Sequence, residues 1–173
     1  MINTTIKRDF AIVKACVYDP CSMRYTYPIP EKEGSAYGAA TCTLNGLTIK
    51  LRTAKITPKK VGQFVTVWKR NSQGVTQPYD SSDSFDLFVI NVHQDHSFGQ
   101  FIIPKAALVE HGVISHGTQQ GKRGIRVYPP WDQVSNQQAQ RTQQWQLNFF
   151  LPIYEHQAND LARAKRLYLI DNR

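Results

Sequence analysis

At 173 residues the chain is long enough to bury a core and is most simply read as one domain, residues 1–173. With 41% hydrophobic and 20% charged residues it is not a disordered chain, and three cysteines (Cys16, Cys21, Cys42) without a CxxC pair argue against a disulfide framework or a cysteine-rich zinc site. A net charge of +8 favours an anionic partner: nucleic acid first, a membrane surface second, a phosphorylated small molecule third.

The N-terminal residues Met1 to Thr5 lack the pattern of a signal peptide, and no apolar run is long enough to span a bilayer. The expectation is a cytoplasmic protein that does not use a membrane. Ile6, Phe10, Val13 and Val17 fall at helical spacing over Thr5–Val17, and Asp19-Pro20 closes that helix. Tyr25–Ser35, with Pro28 and Pro30, reads as an irregular connection. Tyr37–Leu44 and Leu47–Ala54 flank Asn45-Gly46, the dipeptide that tolerates the positive φ angles of a type I′ hairpin. In the second arm Leu47, Ile49 and Leu51 alternate with Thr48, Lys50 and Arg52, so one face is apolar and the other can meet solvent or a ligand.

A further strand is expected over Gln63–Arg70, followed by a polar loop over Asn71–Ser84. Phe85–Val92 is apolar on both faces apart from its Asp and reads as a central strand, with Gln100–Ile103 as its hairpin partner. Pro104 is placed at the first position of a short helix that Gly112 stops. Gly124–Tyr128 reads as another strand. Ser135 and Gln138 have capping-box spacing for a Gln-rich helix to about Phe150, and a last helix is expected over Asp160–Ile170. These elements assemble most naturally as an α/β (mixed α+β) fold, one mixed β-sheet flanked by helices.

Two basic clusters stand out. Lys55, Lys59, Lys60, Lys69 and Arg70 fall in one strand–turn–strand unit around Trp68, and Lys122, Arg123 and Arg126 occupy a Gly-flanked segment. Lys and Arg neutralise phosphates with release of counterions, while Trp68 offers either a stacking face for a base or a core contact. His93 and His96, three residues apart, permit a metal pair without specifying one, and His111 and His116 flank a helix end. The glutamines of the Gln-rich helix suit either base-edge reading or an ordinary solvated face.

Three segments together resemble the MepB-like proteins: Ala54–Arg70, Gly99–Lys105 and Gly121–Pro129, with the Gln138–Trp145 stretch in support. The resemblance implies association with a multidrug-efflux locus and a fold similar to the restriction-endonuclease superfamily. Such nucleases place an acid on a central strand and, on the next, an Asp, Glu or Gln two residues before a Lys, to hold a divalent metal and position water. Asp86 and Gln100 are the candidate catalytic and metal-ligating residues on that pattern. Ile102 stands where the Lys belongs, so Lys55 or Lys69 would have to supply it from another strand, and Glu31 or Glu33 a further carboxylate.

Three readings follow. The first is a nucleic-acid-binding protein on an endonuclease-like fold with a degenerate metal site. The second is an active nuclease using Asp86, Gln100, Lys55 and Glu33 with Mg or Mn. The third is a protein- or small-anion-binding module linked to drug resistance.

Overall fold

The computed structural model describes residues 3–169, so the end of the helix expected over Asp160–Ile170 lies outside the described residues. Helix α1 spans Thr4–Val13 and starts where the Asn3 side chain accepts from the Thr5 N–H at 2.9 Å. It widens into a π turn over Lys14–Tyr18, which keeps Val17 and Tyr18 on the buried side. The connection after it contributes a two-residue edge strand, β1 (Ile29–Pro30). Strands β2 (Ala40–Leu44) and β3 (Leu47–Thr53) form the expected hairpin. Asn45 and Gly46 supply its positive φ angles of 50° and 82°.

The next stretch differs from expectation. Instead of one strand over Gln63–Arg70 and a loop after it, the chain makes four short strands: β4 (Lys55–Thr57), β5 (Lys60–Thr66), β6 (Trp68–Arg70) and β7 (Thr76–Pro78). Val67 separates β5 from β6 because its N–H donates to the Arg123 carbonyl at 2.9 Å. The loop tightens into the β6–β7 hairpin because the Asn71 side chain accepts from the Gln73 and Val75 N–H groups.

Strands β8 (Leu87–Gln94) and β9 (Ser97–Pro104) pair over their whole length. Helix α2 covers Lys105–Glu110, with Pro104 as the extended residue before it rather than its first residue. Strand β10 (Gly124–Val127) precedes helix α3 (Gln137–Gln146), whose cap is Asn136 rather than Ser135. The Asn136 side chain accepts from both Gln138 and Ala139. Residues expected to extend that helix form β11 (Phe150–Pro152), which pairs with β9. Helix α4 (Leu161–Leu167) is capped by Asp160.

The main sheet has six strands in the order β1-β2-β3-β8-β9-β11, antiparallel throughout except for the parallel β3–β8 pair. Its side chains alternate between two cores. Ile49, Leu51, Leu87, Val89, Ile102 and Leu151 pack under α1 and α4. Phe88, Ile90, Val92, Phe101, Ile103 and Phe150 pack on the opposite side. There they meet Val65 and Val127 of a second, three-stranded antiparallel sheet, ordered β10-β5-β4. The architecture is a mixed sheet between a helical layer and a layer of small sheets and helices. Exposed Lys55, Lys59, Lys60 and Lys122 stand on that second layer.

Candidate nucleic-acid interface

The Gln-rich helix α3 lies against β10 because two of its glutamines act as backbone partners. Buried Gln146 accepts from the Tyr128 N–H and donates to the Arg126 carbonyl, both at 2.9 Å. Gln143 donates to the carbonyls of Pro129 and Asp132. Between α3 and the β10–β5 pair runs a groove of about 550 Å³. Lys60, Lys122 and Arg126 line it together with the polar Asn136, Gln138 and Thr142, and no Asp or Glu is among its described lining residues. Trp145 closes one part of it, stacked on His111 with ring centroids 4.0 Å apart.

Arg126 holds this groove in shape. Its guanidinium donates to the Val61 and Gly62 carbonyls and to Thr57 Oγ1 at 2.7 Å, which pins the β4–β5 turn that carries Lys59 and Lys60. Gly62 permits the same closeness from the other side, since a Cβ there would stand 2.6 Å from the Tyr128 ring. Lys59, Lys60 and Lys122 are exposed and take part in no ion pair among the described residues. Lys55 is also exposed, with Nζ 4.8 Å from the centroid of the Tyr37 ring. Arg123 is exposed and donates to the Thr76 carbonyl at 3.1 Å.

The first basic cluster does not stay together. Lys69 is paired with Asp83 at 2.5 Å and Arg70 with Glu33 at 2.9 Å, and both border a separate cleft of about 480 Å³. The half-exposed ring of Trp68 lies under Arg70, whose Cζ is 5.2 Å from its centroid. In the same region Glu31 accepts from Thr41 Oγ1, Lys50 and the buried Arg52. Burial pushes the Glu31 carboxyl up, but the bonds from Lys50 and Thr41 and the Arg52 charge outweigh it and hold the group below its ordinary value. Arg52 and Lys50 were visible in the sequence only as the polar face of an alternating strand. Their carboxylate partner lies across an irregular loop, which spacing does not reveal.

Asp86 and Gln100 are not brought together. The Asp86 carboxylate accepts from the Thr48 N–H at 2.8 Å, tying the start of β8 to β3. Gln100 pairs with Asn91, five residues further along, so the two lie roughly 17 Å apart along the strand. Both ends of the buried Gln100 amide are engaged: Nε2 donates to Asn91 and Oε1 accepts from Tyr168 at 2.7 Å. This pairing continues to Asp9, which is bound by Asn91 and His93, and it belongs to the helical layer. Asp86, Gln100, Lys55 and Glu33 are thus not brought together: Glu33 accepts from Arg70, Lys55 stands over the Tyr37 ring, Asp86 accepts from the Thr48 N–H and Gln100 donates to Asn91. His93 Nε2 lies 2.9 Å from the Asp9 carboxylate, and its ring stacks on Phe98. Among the described residues, no group of three or more His, Cys, Asp or Glu side chains could hold a metal ion.

The fold and groove define a mixed α+β protein with a basic groove, outside its central sheet, that has no carboxylate among its described lining residues. The chain belongs to the MepB-like family, which it matches over residues 31–152. Its structure is similar to the crystal structure of MepB, with a TM-score of 0.72 and 35% identity over 74% of this chain and 86% of that one. It is also similar to the bacterial homing endonuclease I-Ssp6803I, with a TM-score of 0.42 and 19% identity over 84% of this chain and 92% of that one. No protein with a curated description matches the chain. No helix among the described residues is long and apolar enough to cross a membrane.

Proposed function

We propose that this protein binds nucleic acid along the groove between β10, the β4–β5 turn and α3, and that it does so without cutting it. The observation that carries this reading is the distribution of charge. Lys60, Lys122 and Arg126 line a groove with no carboxylate among its described lining residues, whereas Lys50, Lys69 and Arg70 of the neighbouring cleft are paired with Glu31, Asp83 and Glu33. An unpaired lysine has water and salt as its only partners, and a phosphate replaces both with release of counterions. Lys55 and Lys59 extend the same field, and Arg126 shapes the groove as well as charging it. Gln138, Asn136 and Thr142 supply hydrogen-bonding groups beside the phosphate path.

Gel-shift titration tests the placement. Lys60→Glu and Lys122→Glu should each weaken binding to unrelated DNA and RNA sequences alike. Arg166→Gln, exposed on α4 in the opposite layer, should leave binding unchanged. Equal effects from all three changes would mean that net charge, not this groove, drives association.

A further inference from the structure

Two rings from different helices meet on the wall of the nucleic-acid groove. Trp145 stands near the end of α3, next to the Gln146 clamp on β10, and His111 is the C-cap of α2. Their rings are 6° from parallel with centroids 4.0 Å apart, and Phe149 meets Trp145 edge-on at 6.3 Å. Both residues are only half-buried, and both line the groove together with Lys122, Arg126 and Tyr128. The other two tryptophans are placed differently. Trp131 packs edge-on against Phe150 and the Trp68 ring lies under Arg70, and neither is among the groove's lining residues.

An aromatic stack held by two helices beside exposed lysines suits a flat ring carried on a phosphate chain. In a duplex the neighbouring base pairs cover both faces of each base, so only an unpaired base offers a face to such a wall. We propose, on the footing of that nucleic-acid groove, that its substrate is single-stranded. One base stacks on the His111–Trp145 pair, and the flanking phosphates lie on Lys60 and Lys122. The groove volume of about 550 Å³ is in the range that encloses a group of nucleotide size. Every base has an aromatic face, so the stacking carries little sequence preference. A duplex remains a ligand through its phosphates alone, which the two lysines meet as they meet any backbone.

The test compares an oligothymidylate with an abasic phosphodiester strand of the same length and charge, titrated at one low salt concentration. Phosphate contacts are common to both strands, and only the first can stack. The oligothymidylate should bind the unmodified chain roughly tenfold tighter, the size expected for a single stacked base. Trp145→Leu should erase most of that advantage, and Trp68→Leu should keep it. Trp145→Phe retains an aromatic ring and its packing, and covers the case in which Trp145→Leu does not fold. Oligothymidylate should quench the tryptophan emission of the unmodified chain and not that of Trp145→Phe. Equal affinity of the unmodified chain for both strands would overturn the stacking proposal and leave the phosphate groove standing. An advantage that survives Trp145→Leu, or a quench that survives Trp145→Phe, would put the base elsewhere and overturn it too. Binding of neither strand would remove the groove itself, and this proposal with it.

Discussion

Glu31 concentrates the ionic chemistry of β3, and its protonation should be felt in acid. The folded chain holds its carboxyl below the ordinary value of 4.5, so folding favours the charged form. The stability this contributes is present above that value and is lost as pH falls through the lower folded value. Glu31→Gln should therefore cost stability at neutral pH, roughly 2–3 kcal/mol for a partly exposed partner of a buried Arg, and should flatten the loss in acid. Denaturant titrations between neutral pH and pH 3 check both. A second residue-scale outcome concerns Cys42, buried at 4% exposure in the helical-layer core with its thiol pushed up to about 12 by burial. It should resist alkylation in the folded chain and react on unfolding, whereas half-exposed Cys16 reacts first. At this scale the alternation of β3 was legible, but the partners of Lys50 and Arg52 were not. Neither was the ion pairing that removes Lys69 and Arg70 from the basic cluster, because it depends on Glu33 and Asp83, distant in sequence.

Helix α3 shows how an element can be found correctly and its polar residues assigned imperfectly. Its glutamines read as a solvated face, and Gln137, Gln140 and Gln144 are indeed exposed. Gln146 is instead a backbone clamp on β10, and replacing it by Leu should leave the Tyr128 N–H and the Arg126 carbonyl unpaired. The expected loss is about 2–4 kcal/mol in denaturant unfolding, against less than about 0.5 kcal/mol for Gln137→Ala on the open face. The hairpin of β2 and β3 was fully legible because Asn45-Gly46 specifies its turn locally. Strands β4, β7 and β11 were not, because each has only three residues and owes its form to a partner strand, and β6 read as a continuation of β5. The cap of α3 was misplaced by one residue. Ser135 and Asn136 are both competent caps, and only the hydrogen bonds to Gln138 and Ala139 decide between them.

On the scale of the whole molecule, the sheet separates two residues that the sequence pattern had grouped. Asp86 ties two strands together at one end, and Gln100 belongs to a buried polar chain under the helices. The mixed sheet and its flanking helices were legible from the pattern of apolar residues. The distance between those two residues was not, since it depends on how β8 and β9 align. Purified protein with Mg²⁺ or Mn²⁺ should accordingly leave plasmid and single-stranded DNA intact, and Asp86→Asn should change stability rather than any cleavage. Robust metal-dependent cutting that vanishes in that variant would restore the nuclease reading.

The groove is the claim that most needs a direct measurement: the dependence of duplex DNA affinity on salt concentration, for the unmodified chain and for a Lys60→Gln, Lys122→Gln variant. Each lysine that neutralises a phosphate contributes about 0.9 to the slope of log affinity against log salt. If both side chains contact phosphate, the variant should bind more weakly at low salt with a slope shallower by about 1.8. An unchanged slope, or no binding by the unmodified chain at low salt, would contradict the account.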